Sequence, residues 1–256
     1  MMEHTIELTK YGHACVKLTK RGKVLIIDPG MLTPPPDLLD EANAILITHE
    51  HFDHFDDERV LYTAKRDPRL TIYTCAAVAD RLSAVKSQVQ IVKDGDRLAV
   101  AGFDVSVIGK EHHVGRSSVP VVENVGFFID QEVFHPGDAL TLYPAPTLLL
   151  PTQAGWMTDA DMIGYLQQVN PQKVFPIHDG GASDWRSDEL ETMLREEAER
   201  MGTVFMWLEP GDTVNLPDGS LSTNISEPLS DLQGIIDWET RKSRVTRKHS
   251  TRKTHG

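Results

Sequence analysis

Five short apolar runs in this chain each stop at a histidine or an aspartate, and that repetition constrains the fold more than any other feature. Val24-Leu25-Ile26-Ile27 leads into Asp28-Pro29-Gly30. Ala44-Ile45-Leu46-Ile47 leads into Thr48-His49-Glu50-His51-Phe52-Asp53-His54. Val105-Ser106-Val107-Ile108 leads toward His112 and His113. Residues Val125 to Ile129, with Val133-Phe134, lead into His135-Pro136-Gly137-Asp138. Lys173-Val174-Phe175-Pro176-Ile177 leads into His178-Asp179-Gly180. Short apolar runs bounded by Gly and Pro read as buried strands. Strands that all end in metal-ligand side chains describe a site built along the ends of a sheet.

The second run carries the chemistry. It places three imidazoles and a carboxylate within six residues. Such groups are costly to desolvate at the mouth of an apolar strand unless they have partners. His49 and His51 are two apart, so in extended chain they point the same way and can reach one ion. Asp53 and His54 follow after a turn and can reach a second. Asp53 stands where a helical His-Glu-x-x-His motif would need its second histidine, so that zinc-protease pattern is excluded. Imidazole with one or two carboxylates suits zinc, and also manganese or iron. The two cysteines, Cys15 and Cys75, are too few and too far apart for a zinc finger. No Gly-x-Ser-x-Gly elbow is present, so a serine hydrolase lacks its main signal.

Around these motifs the pattern is mixed. Thr5–Leu8, Ala14–Leu18 and Val24–Ile27 read as strands, and Pro34-Pro35-Pro36 as a loop near the mouth of the site. Asp56–Lys65 and Ala76–Val85 read as helices. Val89–Val92 and Ala99–Val107 return to strand. Thr158–Val169 is a helix with a capping threonine, Asp184–Met201 a longer one, and Val204–Trp207 a last strand. Residues 1–240 form one domain, at a length that buries a substantial core. The remaining 241–256 hold seven Lys/Arg and no acid, and read as a basic, disordered tail. The whole chain carries −12, so the first 240 residues carry −19, a body poorly suited to nucleic acid except through that tail. No 18-residue apolar stretch suggests a membrane span, and no signal peptide is visible. With few cysteines, a cytoplasmic location is expected.

On Asp28 in Ile-Asp-Pro-Gly, the His49–His54 run, a central histidine, Gly137-Asp138 and His178, the chain resembles the metallo-β-lactamase superfamily. Within it, the chain is similar to the small metal-dependent hydrolases that include the ascorbate-phosphate lactonase-like proteins. The likeness runs from about Ile6 to about Leu216. It implies an α+β fold, a four-layer αββα sandwich. It implies two divalent ions, zinc first, with manganese or iron as alternatives. His49, His51 and a central histidine would bind one ion, with His112 favoured over His113. Asp53, His54 and His178 would bind the other, and Asp138 would bridge them. Asp28 would orient ligands from behind, and the unused one of His112 and His113 would neighbour the site or touch substrate. His13 reads equally as a residue near the site or a plain strand-end histidine. His135 reads as a surface residue or a neighbour of Asp138, Glu50 as structural, and Trp156 as core packing rather than a pocket wall. Only 39 residues separate Asp138 from His178, too few for the extra domain of the β-CASP nucleases.

The expected activity is hydrolysis of a small ester, lactone or related bond by a metal-bound hydroxide, with Asp53 and Asp138 as catalytic residues. The alternatives are a phosphodiesterase or ribonuclease assisted by the basic tail, and a binding protein that holds metal without turnover. The expected partners are a small-molecule substrate and further copies of the chain, with no membrane.

Overall fold

Alternation of apolar side chains builds two seven-stranded sheets with a shared interior. The structure, a computed structural model, describes residues 5–33, 37–116, 118–181 and 183–221. The Pro34–Pro36 loop and the tail from 241 lie outside the described residues.

The first sheet contains β1 (Ile6–Gly12), β2 (Cys15–Lys20), β3 (Lys23–Ile27), β4 (Ala44–Ile47), β5 (Thr71–Thr74) and β6 (Val89–Ile91). These six lie side by side in chain order, and β14 (Thr213–Leu216) closes the β1 edge. The second sheet contains β7 (Arg97–Val100), β8 (Phe103–Ile108), β9 (Gly126–Ile129), β10 (Val133–His135), β11 (Thr147–Pro151), β12 (Lys173–Ile177) and β13 (Val204–Phe205), again neighbours in chain order. Strands β3 to β6 pair in parallel, and so do β10 to β13. The ends of β3, β4 and β5, and of β11 and β12, therefore each face one way, which is what a strand-end site requires.

The period of two sorts the second sheet's side chains between two cores. Phe127, Ile129, Val133, Leu149, Phe175 and Ile177 join the first sheet's Leu8, Val16, Ile26 and Ile45 in the interior. Their neighbours Phe128, Phe134, Leu148, Leu150 and Val174 turn outward. There they are covered by Met162, Tyr165 and Leu166 of α3 (Asp159–Val169) and by Leu190, Leu194 and Ala198 of α4 (Asp184–Met201). On the other side, Val60 and Ala64 of α1 (Asp57–Arg66) and Val78 of α2 (Ala76–Arg81) pack onto the first sheet's core. The layers run αββα. No helix among the described residues is long and apolar enough to cross a membrane.

Capping fixes two helix starts. Asp56 accepts from the Arg59 N–H, and Thr158 and Asp161 bond reciprocally in a capping box. Three expectations need correction. The run Ala99–Val107 is not one strand but lies in the β7–β8 hairpin, turned at Ala101 and Gly102, both at positive φ as a two-residue hairpin turn demands. The helix expected over Ala76–Val85 stops at Arg81. Burial of Leu82 and Val85 pulls the chain into a tighter 3-10 segment over Ser83–Gln88. The strand expected last, Val204–Trp207, ends at Phe205 and is followed by β14, which crosses to the first sheet.

Candidate metal centre

The end of β3 sets the floor of the site. Asp28 is fully buried, at φ +50°, and accepts three hydrogen bonds. They come from the Thr48 N–H (2.8 Å), the Thr48 hydroxyl (2.7 Å) and His54 Nδ1 (2.7 Å). Because the Thr48 hydroxyl gives its proton to Asp28, its oxygen is left to accept from His49 Nδ1 at 2.9 Å. One carboxylate thus fixes the ring orientation of His54 directly and of His49 through Thr48. Outer carboxylates and carbonyls that bind one imidazole nitrogen leave the other bare for an ion.

Two groups of donors meet above this floor. In the first, His49, His51, His112 and Asp138 have ligand atoms all within 4.8 Å of one another. In the second, His13, Asp53, His54 and His178 do the same. His49 Nε2 lies 3.1 Å from His51 Nδ1. Asp138 Oδ2 lies 3.2 Å from both His112 Nε2 and His178 Nε2, and its Oδ1 lies 3.0 Å from His54 Nε2. The Asp53 carboxylate lies 3.2 Å from His13 Nε2 and 3.6 Å from His178 Nε2.

These residues fit a pair of divalent ions. His54 Nε2, His178 Nε2 and Asp138 Oδ1 are buried without a hydrogen-bond partner, because the short spacings between them are not aligned for one. Leaving such atoms bare costs about 1–3 kcal/mol each. Spacings near 3.1 Å match the edge of a tetrahedron about an ion with bonds of 2.0–2.1 Å, which is about 3.3 Å. The charge balance agrees. Burial works against the charge on Asp138, but His178 and His54 outweigh it and hold the carboxyl well below its ordinary range. Asp53 is likewise held low against burial, chiefly by the His13 hydrogen bond and by His54. Burial opposes a proton on His54, yet Asp138 and Asp28 draw its pKa well upward, and Asp138 draws His178 upward too. His49 and His51 are pushed down by burial and by neighbouring imidazoles. Asp138 thus draws positive charge to the side of the centre where His54 and His178 stand.

The structure places the central histidines apart. His112 Nε2 reaches Asp138, while His113 lends its carbonyl to His112 Nδ1 and sets its ring against Trp156. His135 is not at the surface. It is fully buried, its Nε2 bonds the Ala14 carbonyl and lies 3.9 Å from Asp28 Oδ2, and its Nδ1 takes the Gly137 N–H next to Asp138, so it neighbours the site from behind. Trp156 is no mere core residue either: its indole N–H donates to Asp138 Oδ2 at 3.0 Å, and its ring approaches His112, His113 and His178. His13 lies within the second group. Asn124 holds the backbone N–H of Asp138 with its Oδ1, and Gln153 takes the Nδ1 proton of His178 with its carbonyl. Neither has a signature in the linear sequence.

Comparison with known proteins identifies relatives of this chain. A family model described as a beta-lactamase superfamily domain matches residues 7–178. A protein of Mycobacterium tuberculosis is 32% identical over 181 residues, covering 68% of this chain and 84% of that protein. A UPF0173 metal-dependent hydrolase of Pyrobaculum arsenaticum is 25% identical over 231 residues, covering 82% of this chain and 100% of that protein. Among solved structures, a metallo hydrolase of Ignicoccus hospitalis matches with a TM-score of 0.64 at 21% identity, covering 83% of this chain and 98% of that one. The chain belongs to the metallo-β-lactamase superfamily, in its branch of small metal-dependent hydrolases.

Proposed function

We propose that the chain hydrolyses a small ester, lactone or related bond at a centre of two divalent ions, zinc first among them. His49, His51 and His112 would hold one ion, Asp53, His54 and His178 the other, and Asp138 would touch both. The observation that carries this reading is the position of Asp138, whose two oxygens face both donor groups at 3.0–3.2 Å. Such ions, when bound, polarise an acyl oxygen and lower the pKa of water toward neutrality.

The remaining work falls to the chain. Asp53 is held ionised by its imidazole neighbours. It accepts a hydrogen bond from the attacking water, sets its direction, and passes the proton toward the leaving group. Asp28 and Thr48 keep His54 and His49 from turning. Trp156 holds Asp138 through its indole N–H and sets its apolar ring beside His112 and His178, where it would meet a substrate.

The test uses full-length protein of measured metal content, assayed against lactones, carboxylic esters and phosphodiesters. Ester or lactone turnover is expected, lost on chelation and in His51→Ala, and unchanged on deleting residues 241–256. Turnover confined to phosphodiesters, or ester turnover that survives both chelator and His51→Ala, would end this reading.

A further inference from the structure

Of the six imidazoles in the two donor groups, four turn a ring nitrogen onto an oxygen acceptor. His49 meets the Thr48 hydroxyl, His54 the Asp28 carboxylate, His112 the His113 carbonyl and His178 the Gln153 carbonyl. Each therefore carries its proton on the far side and leaves the facing nitrogen bare. That is the arrangement of a metal ligand.

His13 is arranged the opposite way. Its Nδ1 receives the backbone N–H of Gly180 at 3.2 Å. A nitrogen that accepts an N–H bears no proton, so the neutral ring carries its proton on Nε2. That Nε2 lies 3.2 Å from Asp53 Oδ2. His135 shows the same polarity where no ion is in question: Nδ1 accepts from the Gly137 N–H, and Nε2 donates to the Ala14 carbonyl.

The donor on Nδ1 is held firmly. The His178 N–H bonds the His13 carbonyl at 2.9 Å, and the two rings lie 4.0 Å apart. Asp179, between His178 and Gly180, is paired at 2.5 Å with Lys10, whose side chain is 1% exposed. Gly180 lies close against the ring, since a Cβ there would stand 3.1 Å from His13 Cβ and 3.2 Å from Nδ1, tighter than ordinary contact. The Gly180 N–H cannot swing away without moving the loop that carries His178.

We propose that His13 is a positioning residue and not a metal ligand. Its Nε2–H holds one oxygen of Asp53 and so aims the carboxylate at the second group of donors. Without it, Asp53 would be free to rotate between its neighbours. The inference rests on the two-ion reading above and refines it: the second ion takes Asp53, His54 and His178 from the chain, with His13 one bond removed.

The test compares wild type, His13→Ala, His13→Gln and His178→Ala, each reconstituted with zinc, dialysed and analysed for metal. Wild type and His13→Ala are expected to hold two equivalents, and His178→Ala one. In chelator competition His13→Ala should lose about 10- to 100-fold in affinity for one ion, the usual effect of removing an outer partner. His13→Gln keeps an N–H near the Nε2 position and should recover most of that loss. Long-range 1H–15N spectra of the zinc-loaded wild type should show the His13 proton on Nε2. One equivalent in folded His13→Ala, no recovery in folded His13→Gln, or a zinc-bound Nε2 would each overturn the assignment. A wild type holding fewer than two equivalents would instead refute the two-ion reading, and this inference with it.

Discussion

Gly30 is the position where the smallest substitution should do the most specific damage. It follows Asp28 in the turn after β3, and its backbone crosses the ligand-bearing loop at Asp53 and His54. A Cβ built on Gly30 would stand 1.9 Å from the Asp53 carbonyl oxygen, 2.1 Å from its carbon and 2.6 Å from the His54 nitrogen. All three are backbone atoms, so no side chain can rotate out of the way. Ordinary carbon contacts begin near 3.5 Å, so one strand of chain must shift by about 1.5 Å. The two segments are also stitched together, Met31 N–H to the Phe52 carbonyl at 2.8 Å and Asp56 N–H to the Pro29 carbonyl at 3.1 Å. Relaxation would therefore break these bonds or drag Asp53 and His54 out of place. Overpacking of this kind costs about 3 kcal/mol or more. In a domain of this size that lowers Tm by roughly 6–12 °C. Displacing Asp53 and His54 disturbs two ligands of the second ion, which should bind roughly 100-fold more weakly. The assay is thermal unfolding of metal-free Gly30→Ala beside zinc titration against a chelator. A variant that melts within a degree of wild type and holds two ions with unchanged affinity would refute this account of the turn.

Two further expectations concern the supports of the site. Asp28→Asn replaces a carboxylate that accepts three hydrogen bonds with an amide whose NH2 must face at least one donor among Thr48 and His54. Zinc binding is expected to weaken about 10- to 100-fold in chelator competition while the chain stays folded; unchanged binding would remove Asp28 from the ligand-orienting role. Lys10→Met strands Asp179 with little solvent, its side chain being 14% exposed. It should destabilise by about 3 kcal/mol in denaturant unfolding, with Lys10→Met/Asp179→Leu returning to within about 1 kcal/mol of wild type; an equally unstable double variant would show that the pair is not the cause.

The strand ends and the donor types were legible in the chain itself, because alternating burial and local spacing are short-range properties. Ile-Asp-Pro-Gly, the His49–His54 run, Gly137-Asp138 and His178 each sit beside an apolar run that marks its own strand. The hairpin at Ala101-Gly102 was obscured because apolar residues continue through the turn, so only the positive φ of both residues reveals the reversal. Trp156 was obscured because a tryptophan beside a glycine looks the same in sequence whether its indole meets core or carboxylate. The two adjacent central histidines differ in sequence by one step, and only the path of the loop after β8 brings His112, and not His113, onto Asp138.

What the sequence determined alone was a sheet-end site rich in imidazole and carboxylate, and hence metal chemistry. Which nitrogen each imidazole offers was decided by tertiary structure. His13 and Gly180 are 167 residues apart, yet the direction of one backbone N–H across that gap settles where the His13 proton sits. Periodicity reports which side of its own strand a residue faces. It carries no information about the partner that packing brings from a distant strand, and that partner sets the protonation and the role.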